Sequence, residues 1–100
     1  MYYVIGKQGT GTKPSSSSTV TVAYKGYFLD GDIFDQSDLE GITFNLQQVI
    51  TGWTEGITYF NEGGEGILLI PSQLGYGSKN YSGIPGGSVL IFDIQLLKVN

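Results

Sequence analysis

The 100-residue sequence predicts an α+β domain: an antiparallel sheet, strongly twisted because it is small, wrapped against one short helix. Three observations predict it. Sixteen glycines lie among many β-branched and aromatic residues, the composition of short strands joined by tight turns rather than of a helical bundle. From Thr19 the chain alternates, with Val20, Val22 and Tyr24 on one face and Thr19, Thr21, Ala23 and Lys25 on the other, as in a half-buried strand. A single stretch, VITGWTEGITYF, has helical spacing: Ile50, Trp53, Ile57 and Phe60 share one face. With 40% apolar and 14% charged residues at this length, residues 1–100 supply one core and no second domain, and no internal repeat is visible.

Taken in order, residues 2–5 (YYVI) read as the first strand and residues 6–19 (GKQGTGTKPSSSST) as a surface loop, although a flexible interdomain linker has similar composition. The strand from Thr19 runs through GYFL to Asp30-Gly31, a dipeptide suited to tight hairpins, and Ile33-Phe34-Asp35 begins the return. The helix is expected to be about two turns long, capped by Thr51 and stopped by Asn61 and Gly63-Gly64. GILLIPS (66–72) and SVLIFDIQLLKV (88–99) are the last strands, the second placing Leu90, Phe92, Ile94 and Leu96 on one face. Between them SQLGYGSKNYSGIPGG holds five glycines and two tyrosines, and an uninterrupted loop of that length in a small domain is usually functional or disordered.

Five Lys+Arg against nine Asp+Glu, with no basic cluster, repel a phosphate backbone and an anionic membrane surface alike, so neither nucleic acid nor membrane is an expected partner. The longest apolar runs, such as ILLI at 67–70, fall far short of the roughly 20 residues a membrane helix needs. The absence of cysteine removes disulfides, thiolate metal sites and thiol nucleophiles, and leaves the compartment open. The absence of histidine removes a Ser-His-Asp triad, a His-ligated zinc and an imidazole base. Chemistry light on proton transfer is what remains, with no metal and no cofactor expected. The opening MYYVI has neither a charged n-region nor a long apolar h-region, so no signal peptide is expected in it.

DGDIFDQSD (30–38) sets four aspartates around Ile33 and Phe34. As a calcium loop it fails, because Phe34 stands at the fifth ligand position and Asp35 where glycine is required. As a paired-carboxylate site it lacks two acids converging across a cleft: on a strand Asp30, Asp32 and Asp38 share a side while Asp35 points to the other, so the first three read as solvated turn acids. GTGT at 9–12 is no phosphate cradle, since it precedes no helix and lacks the later glycine. Tyr24, Phe34 and Trp53 would each singly be core. Together with Val49, Ile50, Tyr76, Ile84 and Phe92 they exceed what a two-turn helix needs to cover, which points to an aromatic-lined apolar pocket. Seven tyrosines also raise a carbohydrate-binding β-domain, which would need exposed aromatic platforms.

VTVAYKGYFLDGDIFDQS resembles the V-x-Y-x-G-x-L-x-x-G-x-x-F-D-x-S stretch of the FKBP-type peptidyl-prolyl cis-trans isomerases, with Val22, Tyr24, Gly26, Phe28, Gly31, Phe34, Asp35 and Ser37 in register. FNLQQVITGWTEGI resembles F-x-L-x-x-V-I-x-G-W-x-E-G, and LLIPSQLGYGSKNYSGIPGGSVLIFDIQLL the strand, loop and closing strand with Y-G, I-P and L-x-F-D-x-x-L-L; together they span residues 20–98 in the right order. The resemblance implies a half-barrel of antiparallel strands around a short helix and a pocket that takes a proline ring. It further implies Trp53 as floor, with Tyr24, Phe34, Val49, Ile50 and Phe92 as walls, and Tyr76 and Ile84 contributed by the long loop. Tyr76 would give a hydroxyl to a substrate carbonyl, the Ile50 backbone would be a further donor, and Asp35 the polar group beside the twisting amide. Tyr24, Phe34, Asp35, Trp53, Tyr76 and Phe92 are thus the catalytic set, and Val49, Ile50 and Ile84 the substrate-binding set. Proline-containing peptides and unfolded or partly folded proteins are the implied partners, macrolides the implied inhibitors, and a monomer the implied state. A non-catalytic binding or chaperone-like module is the alternative. An excised domain of an exported, envelope-anchored folding factor is favoured over a cytoplasmic protein.

The sequence departs from the family at residues 79–87, where Gly83, Gly86 and Gly87 replace bulkier residues, at Gln36, where a small serine is usual, and between Leu46 and Val49, which is short, as in many bacterial members. Macrolide inhibitors drape over the loop containing those glycines. Altered macrolide affinity with intact pocket chemistry is expected, and a titration that returns ordinary tight binding would show the loop changes to be harmless.

Overall fold

The alternation that starts at Thr19 becomes the strand around which the sheet is laid out. The computed structural model describes residues 2–77 and 84–100. Its strands are β1 (Tyr2–Lys7), β2 (Thr19–Tyr27), β3 (Ile33–Gln36), β4 (Ile42–Asn45), β5 (Glu65–Ile70) and β6 (Leu90–Val99), with one α-helix, α1 (Thr51–Gly56), before β5. They form one antiparallel sheet in the order β1-β5-β6-β2-β3, with β4 also paired to β2. No helix among the described residues is long and apolar enough to cross a membrane.

β2 and β6 are the long central pair, and their alternating apolar residues face α1: Val20, Val22, Leu90, Ile94 and Leu96 are essentially inaccessible. Ala23, expected on the opposite and more open face, is buried too, because its one methyl group is overshadowed by longer neighbours on a central strand. α1 packs onto β5 through glycine. A Cβ on Gly52 would come within 2.6 Å of the Ile70 side chain, and one on Gly56 within 2.7 Å of Leu68, so two glycines one turn apart let the helix axis approach the sheet.

The edge strand opposite β1 is split. β4 pairs with Thr19–Val22 and β3 with Lys25–Tyr27, and between them residues 37–41 leave the edge. Ser37 holds the start of this excursion, donating its N–H to the Tyr24 carbonyl (2.9 Å) and accepting the Tyr24 N–H on Oγ (2.9 Å). Asp38 Oδ1 accepts the Glu40 and Gly41 N–H groups, and Gly41 (φ 79°) closes the turn against the Val22 carbonyl. β4 carries too little alternation to stand out in the sequence; its pairing with β2 is what makes it a strand.

Three sequence expectations change. The first strand continues to Lys7, so the loop begins at Gln8 and ends at Ser18; the Gln8 and Thr12 carbonyls accept N–H groups of Asn61 and Glu62. The helix is shorter than two full turns: α1 stops at Gly56, a 3-10 turn covers Ile57–Tyr59, and extended Phe60 ends it. Those bonds from Asn61 and Glu62, with a third from Gly63 N–H to the Leu96 carbonyl, draw the chain off the helical path early. Thr51 is the first helical residue rather than the cap; Ile50 occupies that position and supplies no side-chain capping bond. The hairpin at Asp30-Gly31 forms as expected, with Gly31 at φ 93° and paired N–H···O bonds between Phe28 and both Gly31 and Asp32.

Gly66 sits where β1 and β5 pair, and a Cβ there would lie 2.2 Å from the Val4 carbonyl oxygen and 2.8 Å from the Phe60 ring. Gly66→Ala is expected to cost about 1–3 kcal/mol by urea denaturation. Gly6→Ala, whose methyl would meet only the Glu65 carbonyl at 3.7 Å, serves as the mild control.

Candidate active site

Because α1 lies so close to β5, the first buried side chain it carries, Trp53, is pressed against the aromatic residues of β2, β4 and β6. Tyr24, Phe44 and Phe92 stand nearly perpendicular to the indole, at ring-centroid distances of 5.0, 5.2 and 5.2 Å and interplanar angles of 85°, 86° and 79°. Edge-to-face packing of this kind suits aromatic quadrupoles and makes a floor with upright walls. Trp53 Nε1 is buried with no hydrogen-bond partner among the described residues, so the indole is held by packing alone.

The floor and walls bound a cleft of about 420 Å3. Gln48, Val49 and Ile50, the segment leading into α1, form one rim, and Asp35 and Tyr76 complete the lining. Leu46 is fully buried beneath that rim, and Thr54 Oγ1 donates to its carbonyl, tying the segment to the helix. The Ile50 carbonyl accepts the first helical bonds from Trp53 and Thr54, while its own N–H is paired with no acceptor among the described residues.

A β-bulge sets the polar side of the cleft. Gly26 of β2 pairs with Asp35 and Tyr27 with Ile33, which leaves Phe34 as the extra residue. Strict alternation would send Phe34 and Asp35 to opposite faces; the bulge turns both toward the inner one. The Asp35 carboxylate reaches Tyr24, whose hydroxyl donates to Oδ2 at 2.9 Å, and its Oδ1 accepts the Gln36 N–H at 2.8 Å. The Phe34 ring packs on Phe28 (5.0 Å) and edge-on against Phe92 (5.6 Å), over Gly26, where a Cβ would come within 2.7 Å of it.

Of the residues singled out by sequence, the structure brings Tyr24, Asp35, Val49, Ile50, Trp53, Tyr76 and Phe92 to one cleft. Phe34 packs edge-on against Phe92 over Gly26, and Ile84 is buried in the same core cluster as Tyr24, Trp53 and Phe92. Gly83 lies outside the described residues. Sequence reasoning missed Phe44 and Gln48 as lining residues. Phe44 was legible as the first residue of the F-x-L-x-x-V-I stretch; nothing in the sequence marked Gln48. The remaining acids of DGDIFDQSD serve turns, Asp30 Oδ1 accepting the Asp32 N–H and Asp38 closing residues 38–41. Among the described residues no group of three or more His, Cys, Asp or Glu converges as metal ligands.

Burial, then the hydrogen bond to Asp35, the carboxylate's charge and neighbouring Tyr76 raise the Tyr24 pKa well above the ordinary phenol value of about 10. Folded Tyr24 therefore keeps its proton where the unfolded chain releases it. Its contribution to stability is complete below about pH 10 and is lost as pH climbs through the folded value. Unfolding free energy is expected to fall above that pH, and Tyr24→Phe to flatten the fall while costing about 1 kcal/mol at neutral pH. An unchanged alkaline slope in the variant would assign the effect to Tyr27 and Tyr59, whose phenols are also raised.

The family model for FKBP-type peptidyl-prolyl cis-trans isomerases matches residues 10–97. A probable FKBP-type peptidyl-prolyl cis-trans isomerase FkpA of Neisseria meningitidis serogroup B is 43% identical over 99% of this chain and 38% of its own length. FkpA of Escherichia coli K12 is 44% identical over 99% of this chain and 37% of its own. The chain thus spans less than half the length of these curated relatives. The crystal structure of FkpA from Escherichia coli superposes with a TM-score of 0.94 at 44% identity, covering 98% of this chain and 47% of that one. A peptidyl-prolyl cis-trans isomerase from Pseudomonas syringae pv. tomato gives 0.92 at 36% identity, covering 98% and 74%. Strands β2 to β5, most of β6, the short helix and the cleft fall within the matched stretch, and the chain belongs to the FKBP-type peptidyl-prolyl cis-trans isomerase family.

Proposed function

We propose that this domain catalyses rotation about X-Pro peptide bonds in the cleft over Trp53. The observation that carries the reading is the set of three rings upright on the indole, an aromatic box with one hydrogen-bonded carboxylate at its edge. Rotation meets a barrier of roughly 18–20 kcal/mol because the amide loses resonance as it twists. A planar amide is dipolar and well hydrated and a twisted one less so, so transfer into an apolar cleft favours the transition state. No nucleophile is needed and no proton changes hands.

In this reading the proline ring lies on Trp53 between Tyr24, Phe44 and Phe92, and Phe34 keeps Phe92 upright from behind. The Ile50 N–H and the Tyr76 hydroxyl are donors to substrate carbonyls. Asp35, already fixed by Tyr24 and the Gln36 N–H, offers a preorganised negative edge to the rotating amide. Val49 and Ile50 complete the apolar rim. The substrates are proline-containing peptides in unfolded or partly folded proteins, the domain acts as a monomer, and macrolides compete at the same cleft. In this reading the domain works in the cell envelope as part of an exported folding factor; fractionation of the producing cells checks the compartment.

Exchange-resolved NMR on a short peptide with an apolar residue before proline, with catalytic amounts of domain, tests the activity. Trp53→Ala is expected to lower kcat/KM by about thirtyfold, the equivalent of about 2 kcal/mol of apolar contact. Asp30→Asn, in a turn, is expected to leave it unchanged. Equal losses in both would overturn the division between cleft and turn. A folded domain that binds the peptide without accelerating exchange would be a binding module instead.

A further inference from the structure

Antiparallel sheets with one covered face usually carry polar side chains on the other. The face turned away from α1 breaks that rule along one register line. Tyr2 pairs with Leu69, Leu69 with Ile91, Ile91 with Tyr27 and Tyr27 with Ile33, so each of five strands contributes one apolar or aromatic side chain from edge to edge. Val4 and Ile67 widen the band at the β1 end. Tyr2, Val4 and Ile33 are 79%, 59% and 53% exposed, and the inner members are half-buried. An open apolar band of this kind marks an interaction surface.

Beside the band the same face changes character. The next register line runs Val4, Ile67, Asp93, Lys25, Gln36, and the excursion at residues 37–41 rises beside it to wall a hollow of about 470 Å3. Ala23 is part of its floor; Leu39, 89% exposed, and Ile67 give it apolar sides. Three carboxylates, Asp38, Glu65 and Asp93, face this hollow against the one ammonium of Lys25.

We propose that this outer face is a second docking surface, for extended segments of unfolded polypeptide that combine apolar residues with Lys or Arg. Strands about 4.8 Å apart make the five-strand band roughly 19 Å long, the reach of about six extended residues. The three-to-one carboxylate excess selects a cationic segment. The same excess opposes a second copy of this chain stacked face to face, since its carboxylates would meet their own kind. The surface lies on the opposite side of the sheet from the Trp53 cleft, so a long substrate held here keeps its prolines free to sample the cleft at raised effective concentration.

The test is an NMR titration of the labelled domain with a proline-free eight-residue peptide of alternating Leu and Lys. Amide shifts are expected at Lys25, Leu69, Ile91 and Asp93, with the Trp53 indole unmoved. The double variant Glu65→Gln, Asp93→Asn keeps the oxygens that accept from Gln95 and Tyr27 while removing two charges. It is expected to weaken binding about tenfold at low salt and to leave prolyl exchange unchanged. Ile33→Ser, at an exposed edge, is expected to weaken binding without touching a charge. Shifts centred on Trp53, equal binding of a peptide with Ser for Leu, or the same shifts on simple concentration of the domain would each overturn the proposal, the last by making the face a self-association surface.

Discussion

How closely α1 can lie against β5 determines the rest of the site. Gly52 and Gly56 present no Cβ to Ile70 and Leu68, and the helix settles onto the sheet at a distance no larger residue would permit without displacing those side chains. Trp53 lies between them in sequence and is carried into the ring of Tyr24, Phe44 and Phe92. Each edge-to-face pair adds about 0.5–1.5 kcal/mol beyond the area it buries, so three pairs on one indole hold its plane firmly. A helix of six residues could not position a side chain so well by its own stability. The sheet does it, and the helix is effectively part of the core.

The second constraint is the interruption of the edge beside β2. A continuous returning strand would alternate and send Phe34 and Asp35 to different faces. The bulge at Phe34 spends one residue to point both inward, one to support Phe92 and one to meet the Tyr24 hydroxyl. Residues 37–41 then step off the edge before β4 brings Phe44 back to the indole. The carboxylate and the fourth ring of the box therefore come from one broken strand. The break also raises Leu39 and Asp38 beside the outer hollow.

What the sequence disclosed follows the range of the interactions involved. The hairpin at Asp30-Gly31 and the apolar faces of β2 and β6 are local patterns, and they are where the alternation and the turn dipeptide placed them. The end of α1 was misplaced because it depends on backbone bonds from Asn61, Glu62 and Gly63 to Gln8, Thr12 and Leu96, groups distant in the chain. β4 was invisible for the same reason. The family motifs carry the spacing that brings Tyr24, Asp35, Val49, Ile50, Trp53, Tyr76 and Phe92 to the cleft, with Phe34 and Ile84 packed into the same cluster; the bulge that turns Phe34 and Asp35 to one face is encoded by no periodicity.

In the proposed reading, the Tyr24–Asp35 pair explains why so little conventional catalytic equipment would suffice. A carboxylate that accepts a phenol and a backbone N–H is a fixed dipole partner, poorly suited to shuttle protons and well suited to face a charge distribution that changes as an amide twists. Fixing it needs a neighbour that does not ionise at working pH, and the raised pKa of Tyr24 ensures that the donor stays a donor. Burial is the largest cause of that shift, and Trp53, Phe44 and Phe92 pack around the same ring. The packing that builds the aromatic floor also holds the Asp35 carboxylate in place. A substitution that loosened the aromatic box would thus weaken both at once, and apolar and electrostatic contributions to the site are coupled through the position of a single indole.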